Sequence, residues 1–281
     1  MRLLLVYNLH SGKKNLEKKL DYIRESLKNK YEVDEFRSHG PKSITSYIKN
    51  LDVKYDIIVA CGGDGTVNET VSGIMGYKYE TVLGIIPTGT INDMGHNLGL
   101  NKNYKKSLKL ILEGNKKEID IYRANDSYFS YGFAIGMMTD VSYVKSKSKK
   151  FLGRLSYYML CIKHITKARK IHLKLTINNE IIEDDFSLLL VTNSNYLAGY
   201  KIKQNGNLDI ALFKGNKFIF VKNFIKYLLT SKNKYYYNAE SITIETDAKS
   251  FNTDGEYNEL DGKVTIEKYK KLNFICKNNK K

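Results

Sequence analysis

The chain has 281 residues, 42% of them hydrophobic, which is long enough for two ordinary domains or one large one and too apolar for wholesale disorder. Its formal charge is +16, with 19 Lys/Arg against 15 Asp/Glu in residues 1–121 and 27 against 15 in residues 122–281. An anionic partner is therefore expected at the second half, while three scattered cysteines without a CxxC pair argue against a structural zinc site.

The opening LLLVY at 3–7 reads as a buried strand, its apolar stretch too short for a signal peptide. A helix follows over 16–27, with Leu16, Leu20, Ile23 and Leu27 on one stripe. Residues 31–36 read as a strand and 44–51 as a helix behind Pro41. YDIIVA then runs straight into CGGDGTVNET. Strands are expected over 56–60 and 82–86, and helices over 66–74 and around 107–112. Apolar strands alternating with helices indicate a parallel sheet covered on both faces.

The pattern changes near residue 119. Short alternating strands dominate, punctuated by the turn pairs Asn125–Asp126, Asn178–Asn179 and Asp261–Gly262. Helices are expected only over 151–169 and 217–230. The division is thus 1–120, an α/β domain, and 121–281, a mainly antiparallel β-rich domain. The last strands, VTIEKY and KLNFIC, either finish the second domain or return to the first.

Ligands of an open parallel sheet bind outside the carboxyl ends of its strands. Gly62, Gly63 and Gly65 are placed at such an end, where glycine permits positive φ and close backbone approach to a phosphate. Thr66 opens a helix whose amino end favours anions. Asp64 repels phosphate unless a divalent cation lies between them. A second glycine turn, PTGTIND, adds Thr88, Gly89, Thr90 and the polar pair Asn92–Asp93. The spacing matches neither the dinucleotide fingerprint nor a Walker A sequence. A tight capped turn remains the plain alternative for either one taken alone.

GGDGTVNE and PTGTIND together, with Asn8, Ser11 and Gly12 near the start, resemble the catalytic domain shared by diacylglycerol kinases, sphingosine kinases and YegS-like bacterial lipid kinases. SKSKKFLGRLSYY at 146–158 and FNTDGE at 251–256 extend the resemblance along the chain. It implies an α/β nucleotide domain of the phosphofructokinase and NAD-kinase type plus a β-sandwich, with the active site in the cleft. It also implies transfer of the ATP γ-phosphoryl group to a lipid hydroxyl. Carried over by motif, the turn Asn8, Leu9, His10, Ser11, Gly12 would meet the nucleotide. Gly62, Gly63, Asp64, Gly65, Thr66, Val67, Asn68 and Glu69 would line the phosphate site, with Gly89 and Thr90 nearby. Arg37 stands near the place of a threonine beside the adenine nucleotide, or is simply a solvated arginine.

Phosphoryl transfer also needs somewhere for the acceptor's proton to go. Asp254 and Glu256 lie two apart, so on a regular strand they would point the same way. A β-turn with solvated acids is the plain alternative. The resemblance makes Glu256 the general base and Asp254 its neighbour. Three departures stand out: Asn8-Leu9 replaces Asn-Pro, Tyr131 stands where an asparagine is usual, and GYKIKQNGNLDI at 199–210 is shortened. Asn205 occupies the place of an aspartate that helps hold a structural magnesium. The metal candidates are accordingly Asn205 through its carbonyl, Asn207 through its backbone oxygen, and Asp64, with weakened affinity because an amide is neutral. Asp209 remains as the second acid.

Ten Lys/Arg and no acid lie between Asp140 and Glu180, and the 151–169 stripe doubles as a core face or a surface for an anionic leaflet. The sequence thus points to an ATP- and Mg2+-dependent lipid kinase, most simply acting on diacylglycerol. It would be cytoplasmic and peripherally membrane-associated, with no nucleic-acid partner and a homodimer left open. A small-molecule kinase of the same broad fold and a non-catalytic relative are the alternatives.

Overall fold

The computed structural model describes residues 1–9, 16–100, 102–137 and 170–278. It divides into two compact units, Met1–Ile121 with the segment from Lys270 on, and Tyr122–Tyr269.

The first unit alternates strand and helix: β1 (Arg2–Tyr7), α1 (Glu17–Lys28), β2 (Glu32–Arg37), α2 (Ser43–Lys49), β3 (Ile57–Gly62), α3 (Asp64–Met75), β4 (Val82–Pro87), α4 (Asp93–Asn97) and α5 (Tyr104–Glu113). The strands run parallel in the order β2-β1-β3-β4. β1 from Leu3 onward and β3 are apolar because both their faces are covered: Leu3, Leu4, Leu5, Val6, Ile58 and Val59 are each 0% exposed. Leu20, Ile23 and Leu27, one side of α1, close over Leu3, Leu5, Ile57 and Val59. Burial of each such side chain contributes roughly 1.5–3 kcal/mol before chain entropy is charged against it.

In this strand order β2 lies on one side of β1, whereas β3 and β4 lie on the other. The connections reverse direction between β1 and β3. Open α/β sheets bind ligands at such a reversal, outside the carboxyl ends of the strands.

β5 (Lys116–Ala124) leads into the second unit. There follow β6 (Ser127–Phe129), β7 (Gly132–Gly136), β8 (Ile171–Ile177), β9 (Glu180–Phe186), β10 (Leu188–Thr192), β11 (Tyr196–Leu197), β12 (Tyr200–Lys201) and β13 (Leu208–Phe213). After them come α6 (Lys217–Thr230), β14 (Tyr235–Ala239), β15 (Ile242–Thr246), β16 (Ser250–Thr253), β17 (Glu256–Glu259) and β18 (Lys263–Ile275). A six-stranded antiparallel sheet, β14-β13-β10-β7-β16-β17, faces the antiparallel strands β9, β8, β15 and the first half of β18. Phe133, Ile135, Leu189, Val191, Leu208 and Ile210 from one side meet Leu173, Leu175, Ile242, Ile244 and Val264 from the other in one core.

β10 and β13 do not show the alternation expected from sequence. Both read as fully buried, because α6 covers the other face of their sheet with Phe220 and Tyr227 against Leu188, Leu190, Ala211 and Phe213. The last strand serves both units. Lys263–Ile266 pairs with β15, while Asn273 and Phe274 pair in parallel with β4. The helix expected over 151–169 lies outside the described residues. Among the described residues no helix is long and apolar enough to cross a membrane.

Candidate active site

The sheet register brings most of the nucleotide candidates in the first unit to one edge. Arg37 ends β2 opposite Tyr7, which ends β1 opposite Cys61. Asn8 follows Tyr7, and its N–H donates to the Cys61 carbonyl at 3.4 Å. Gly62 ends β3, and its carbonyl accepts from the Thr88 N–H just after β4 at 2.8 Å. Asn8, Arg37, the 62–65 turn and the 88–90 turn therefore share the carboxyl end of one parallel sheet. Leu9 is half-buried against the core below; His10, Ser11 and Gly12 lie outside the described residues.

The glycines serve close approach, not unusual φ. Gly62, Gly63 and Gly89 are absent from the positive-φ positions, contrary to the conformational role expected of the first turn. A Cβ on Gly62 would lie 2.3 Å from Thr66 Oγ1. A Cβ on Gly89 would lie 2.6 Å from Gly63 Cα and 2.7 Å from Asn92 Oδ1. The two turns touch backbone to backbone, and any side chain at 89 would force them apart.

Asn92 fastens this contact from a left-handed backbone (φ 61), a conformation asparagine tolerates better than most residues. Its Oδ1 accepts from the Gly89 N–H at 2.9 Å, its Nδ2 donates to the Gly89 carbonyl at 2.9 Å, and its N–H donates to Asp64 Oδ2 at 2.8 Å. Asp64 thus has protein partners of its own. It is the first residue of α3, where the aligned amides favour negative charge. The expectation that only a cation makes this carboxylate tolerable is corrected: Asp64 also ties one glycine turn to the other.

Gly63, which precedes α3, has no side chain to cap it, and the amino end of the helix with its aligned N–H groups lies at the same edge. Gly63, Asp64 and Gly65 are half-buried there. Behind them Thr66, Val67 and Asn68 are buried. Glu69 turns the other way: its Oε2 accepts from the Ile44 N–H at 3.2 Å at the start of α2. Burial pushes the Glu69 carboxyl above its ordinary value, opposed by the backbone amides of Lys42, Ile44 and Thr45. Its carboxylate caps a neighbouring helix in place of the phosphate contact expected of it. Thr90 is exposed, and its carbonyl accepts from Lys102 Nζ at 2.6 Å.

In the second unit, Asp254 and Glu256 do not share a strand. Asp254 (φ 51) and Gly255 (φ 86) form the turn between β16 and β17, and Glu256 pairs opposite Thr253. Asp254 is 2% exposed. Its Oδ1 accepts from the N–H groups of Tyr131 and Gly132, both at 2.9 Å, and its Oδ2 from the Ser130 N–H and hydroxyl at 2.8 and 2.9 Å. Burial pushes this carboxyl up, while the donors favour its charged form. A buried acid with four donors is a clamp on the β6–β7 connection, which corrects its reading as Glu256's catalytic neighbour. Tyr131, a departure at sequence level, completes the clamp by donating its hydroxyl to the Asp254 carbonyl at 2.8 Å. Glu256 itself is exposed.

The segment around Asn205 does not fit a cation. Asp209 is 0% exposed on β13, and donors fill its carboxylate. The Asn205 N–H reaches Oδ2 at 3.2 Å, while Asn238 Nδ2 reaches Oδ1 at 2.8 Å and the Tyr236 hydroxyl also donates to Oδ1. Asn205 Nδ2 donates to the Tyr236 oxygen and, at 3.5 Å, to Asp209 Oδ1. The Asn207 carbonyl already accepts from Gln204 Nε2 at 2.8 Å. Burial and the Asp209 charge raise the Tyr236 phenol above its ordinary value, so it stays a donor. A hard cation needs converging oxygens; here N–H and O–H groups converge instead. Asn205 and Asn207 are corrected from metal ligands to members of a hydrogen-bonded clasp. Among the described residues no group of three His, Cys, Asp or Glu side chains could hold a metal. Tyr236 and Asn238 carried no signal in the sequence, since only the β13–β14 register places Asn238 beside Asp209.

An α/β unit with paired glycine turns next to its switch point, joined to a β-sandwich, is the architecture of a kinase-like two-part enzyme. Residues 2–124 match the diacylglycerol kinase catalytic domain. The chain is 29% identical over 275 residues to a diacylglycerol kinase of Staphylococcus saprophyticus, covering 91% of this chain and 89% of that one. It is 30% identical over 216 residues to a diacylglycerol kinase of Staphylococcus carnosus, covering 75% and 71%. The crystal structure of a diacylglycerol kinase from Bacillus anthracis superposes with a TM-score of 0.80 at 28% identity, covering 98% of this chain and 97% of that one. The chain belongs to the bacterial diacylglycerol kinase and YegS-like lipid kinase family.

Two outcomes follow from the geometry. Gly89→Ala should destabilise the chain by about 1–3 kcal/mol through overpacking against Gly63, measured by urea unfolding. Asn205→Asp should cost about 1–3 kcal/mol by removing a donor from Asp209 and setting a second carboxylate beside it. Added Mg2+ should recover part of that loss in thermal melts while leaving wild type unmoved. A wild-type melting temperature that rises with Mg2+, but not in Asp209→Asn, would show a cation site after all.

Proposed function

We propose that this chain is an ATP-dependent lipid kinase that transfers the γ-phosphoryl group to a lipid hydroxyl, with diacylglycerol as the first acceptor to test. The observation that carries this reading is the pairing of two glycine turns at the neighbouring carboxyl ends of β3 and β4, next to the switch point of a parallel sheet and at the amino end of α3. Such an edge offers backbone N–H groups and a helix dipole to a polyphosphate. Diacylglycerol comes first because the similar Staphylococcus proteins carry that name.

In this proposal the first unit holds the nucleotide, with Gly63, Gly65 and the α3 amides on its phosphates and Asn8 and Arg37 farther along the edge. The donor set at the turn fits a nucleotide-bound magnesium, which takes one or two carboxylates plus phosphate oxygens. Asp64 would hold that ion, which supplies charge neutralisation to the phosphates. Asn92 keeps Asp64 pointed at the turn, and Asn205 and Asn207 take no part. Glu256, exposed at the start of β17, is assigned as the base that accepts the lipid hydroxyl proton. Asp254 supports it by fixing the turn that precedes it.

Purified protein with labelled ATP and a lipid extract should yield a phosphorylated lipid; a water-soluble labelled product would favour a small-molecule kinase. Asp64→Asn keeps an oxygen for the Asn92 N–H, so it should fold normally yet lose Mg2+-dependent nucleotide use. Glu256→Gln should retain ATP affinity and lose about 10²–10⁴-fold in kcat. Full turnover in Glu256→Gln would place the base elsewhere, and joint loss of affinity and turnover would make the residue structural.

A further inference from the structure

α6 has two apolar faces. Phe220, Tyr227 and Leu228 are buried, with Val221 and Phe224 packed beside the sheet. On the opposite side Phe218, Ile225 and Leu229 are 75%, 50% and 69% exposed. Positions 218, 222, 225 and 229 are spaced i, i+4, i+7 and i+11, which is one stripe of an α-helix. Lys222 interrupts that stripe and Lys226 flanks it. The core requirement of the helix is met by its other face, so among the described residues the outward side chains belong to no core of the second unit.

The charge around the stripe identifies its occupant. From Ile210 to Ala239 the chain carries six lysines and no acid. A second copy docking face to face would oppose Lys222 and Lys226 to their own counterparts, with no carboxylate on the helix to balance them. Anionic lipid supplies both halves of what the face lacks: acyl chain for the apolar stripe and phosphate for the lysines, whose long stems let the ammonium groups reach the headgroups. We infer that α6 docks this protein on anionic bilayers, with Phe218, Ile225 and Leu229 entering the interfacial layer and Lys222 and Lys226 meeting lipid phosphates. This surface rests on the lipid-kinase reading for its purpose, though not for its physics. It uses none of the basic residues of the run at 145–169, which lies outside the described residues.

The test uses the full chain with vesicles of phosphatidylcholine alone or mixed equally with phosphatidylglycerol. Wild type should sediment with the mixed vesicles and release as salt rises, each lysine contributing about fivefold in partitioning. Phe218→Ser/Leu229→Ser and Lys222→Glu/Lys226→Glu should each lower partitioning at least tenfold, with thermal melts unchanged because all four positions are exposed. Wild-type partitioning in both double variants would overturn the inference. So would unchanged partitioning accompanied by a lower melting temperature or by loss of a dimer in sedimentation velocity, since the face would then be covered by this chain or a second copy. Phosphorylation of an extracted lipid mixture, diacylglycerol included, in detergent micelles separates the two claims. Wild type inactive in micelles sinks the kinase reading and leaves docking standing. Active wild type whose vesicle binding the variants do not alter sinks docking alone.

Discussion

The contact between Gly63 and Gly89 is the constraint on which the site depends. Two parallel strands end side by side, and two backbone turns must pass within van der Waals distance with no room for a Cβ between them. Sterics alone would leave such a contact loose. Asn92 removes the slack by satisfying both polar groups of Gly89 and donating to Asp64. Because Asp64 opens α3, the same bond fixes the helix end relative to the second turn. Pre-organisation of this kind matters for phosphoryl transfer, in which catalysis is largely positioning and charge stabilisation.

The second unit uses carboxylates in the same way. Asp254 and Asp209 are both buried, and both are surrounded by N–H and O–H donors. A buried carboxylate without such partners would be costly, and with them it locks loops that have no hydrophobic reason to hold one shape. Asp254 holds the hairpin turn from which Glu256 follows. Asp209 holds the 205–207 segment against β14. At this position hydrogen bonds do the holding: an amide at 205 donates to an acid that a second carboxylate would repel.

The parallel unit was legible because its physics is local. LLLVY, YDIIVA and TVLGII are apolar on both faces, and the turns after them hold the glycines, so strand ends and candidate phosphate turns could be read together. What glycine does there was not legible, since the Gly63–Gly89 contact joins positions 26 apart and depends on β3 lying beside β4. The same limit explains Glu69, whose place in a contiguous motif suggested a ligand although its side chain points to α2. It also explains Asp254, because spacing by two implies a shared side only on a regular strand, and here a left-handed turn intervenes. β10 and β13 lost their expected alternation because α6 covers a face that pairwise strand patterns leave unspecified. The outward stripe of α6 was hidden for the related reason that only packing tells which of two apolar helix faces is spare.

The central claim is that the two glycine turns act as one phosphate-binding element, and hydrogen exchange measures it directly. On adding ATP and Mg2+ to the full chain, the amides of 62–68 and 88–92 should gain protection together, at the same nucleotide concentration. Protection of one turn without the other, or protection confined to other strands, would contradict the account.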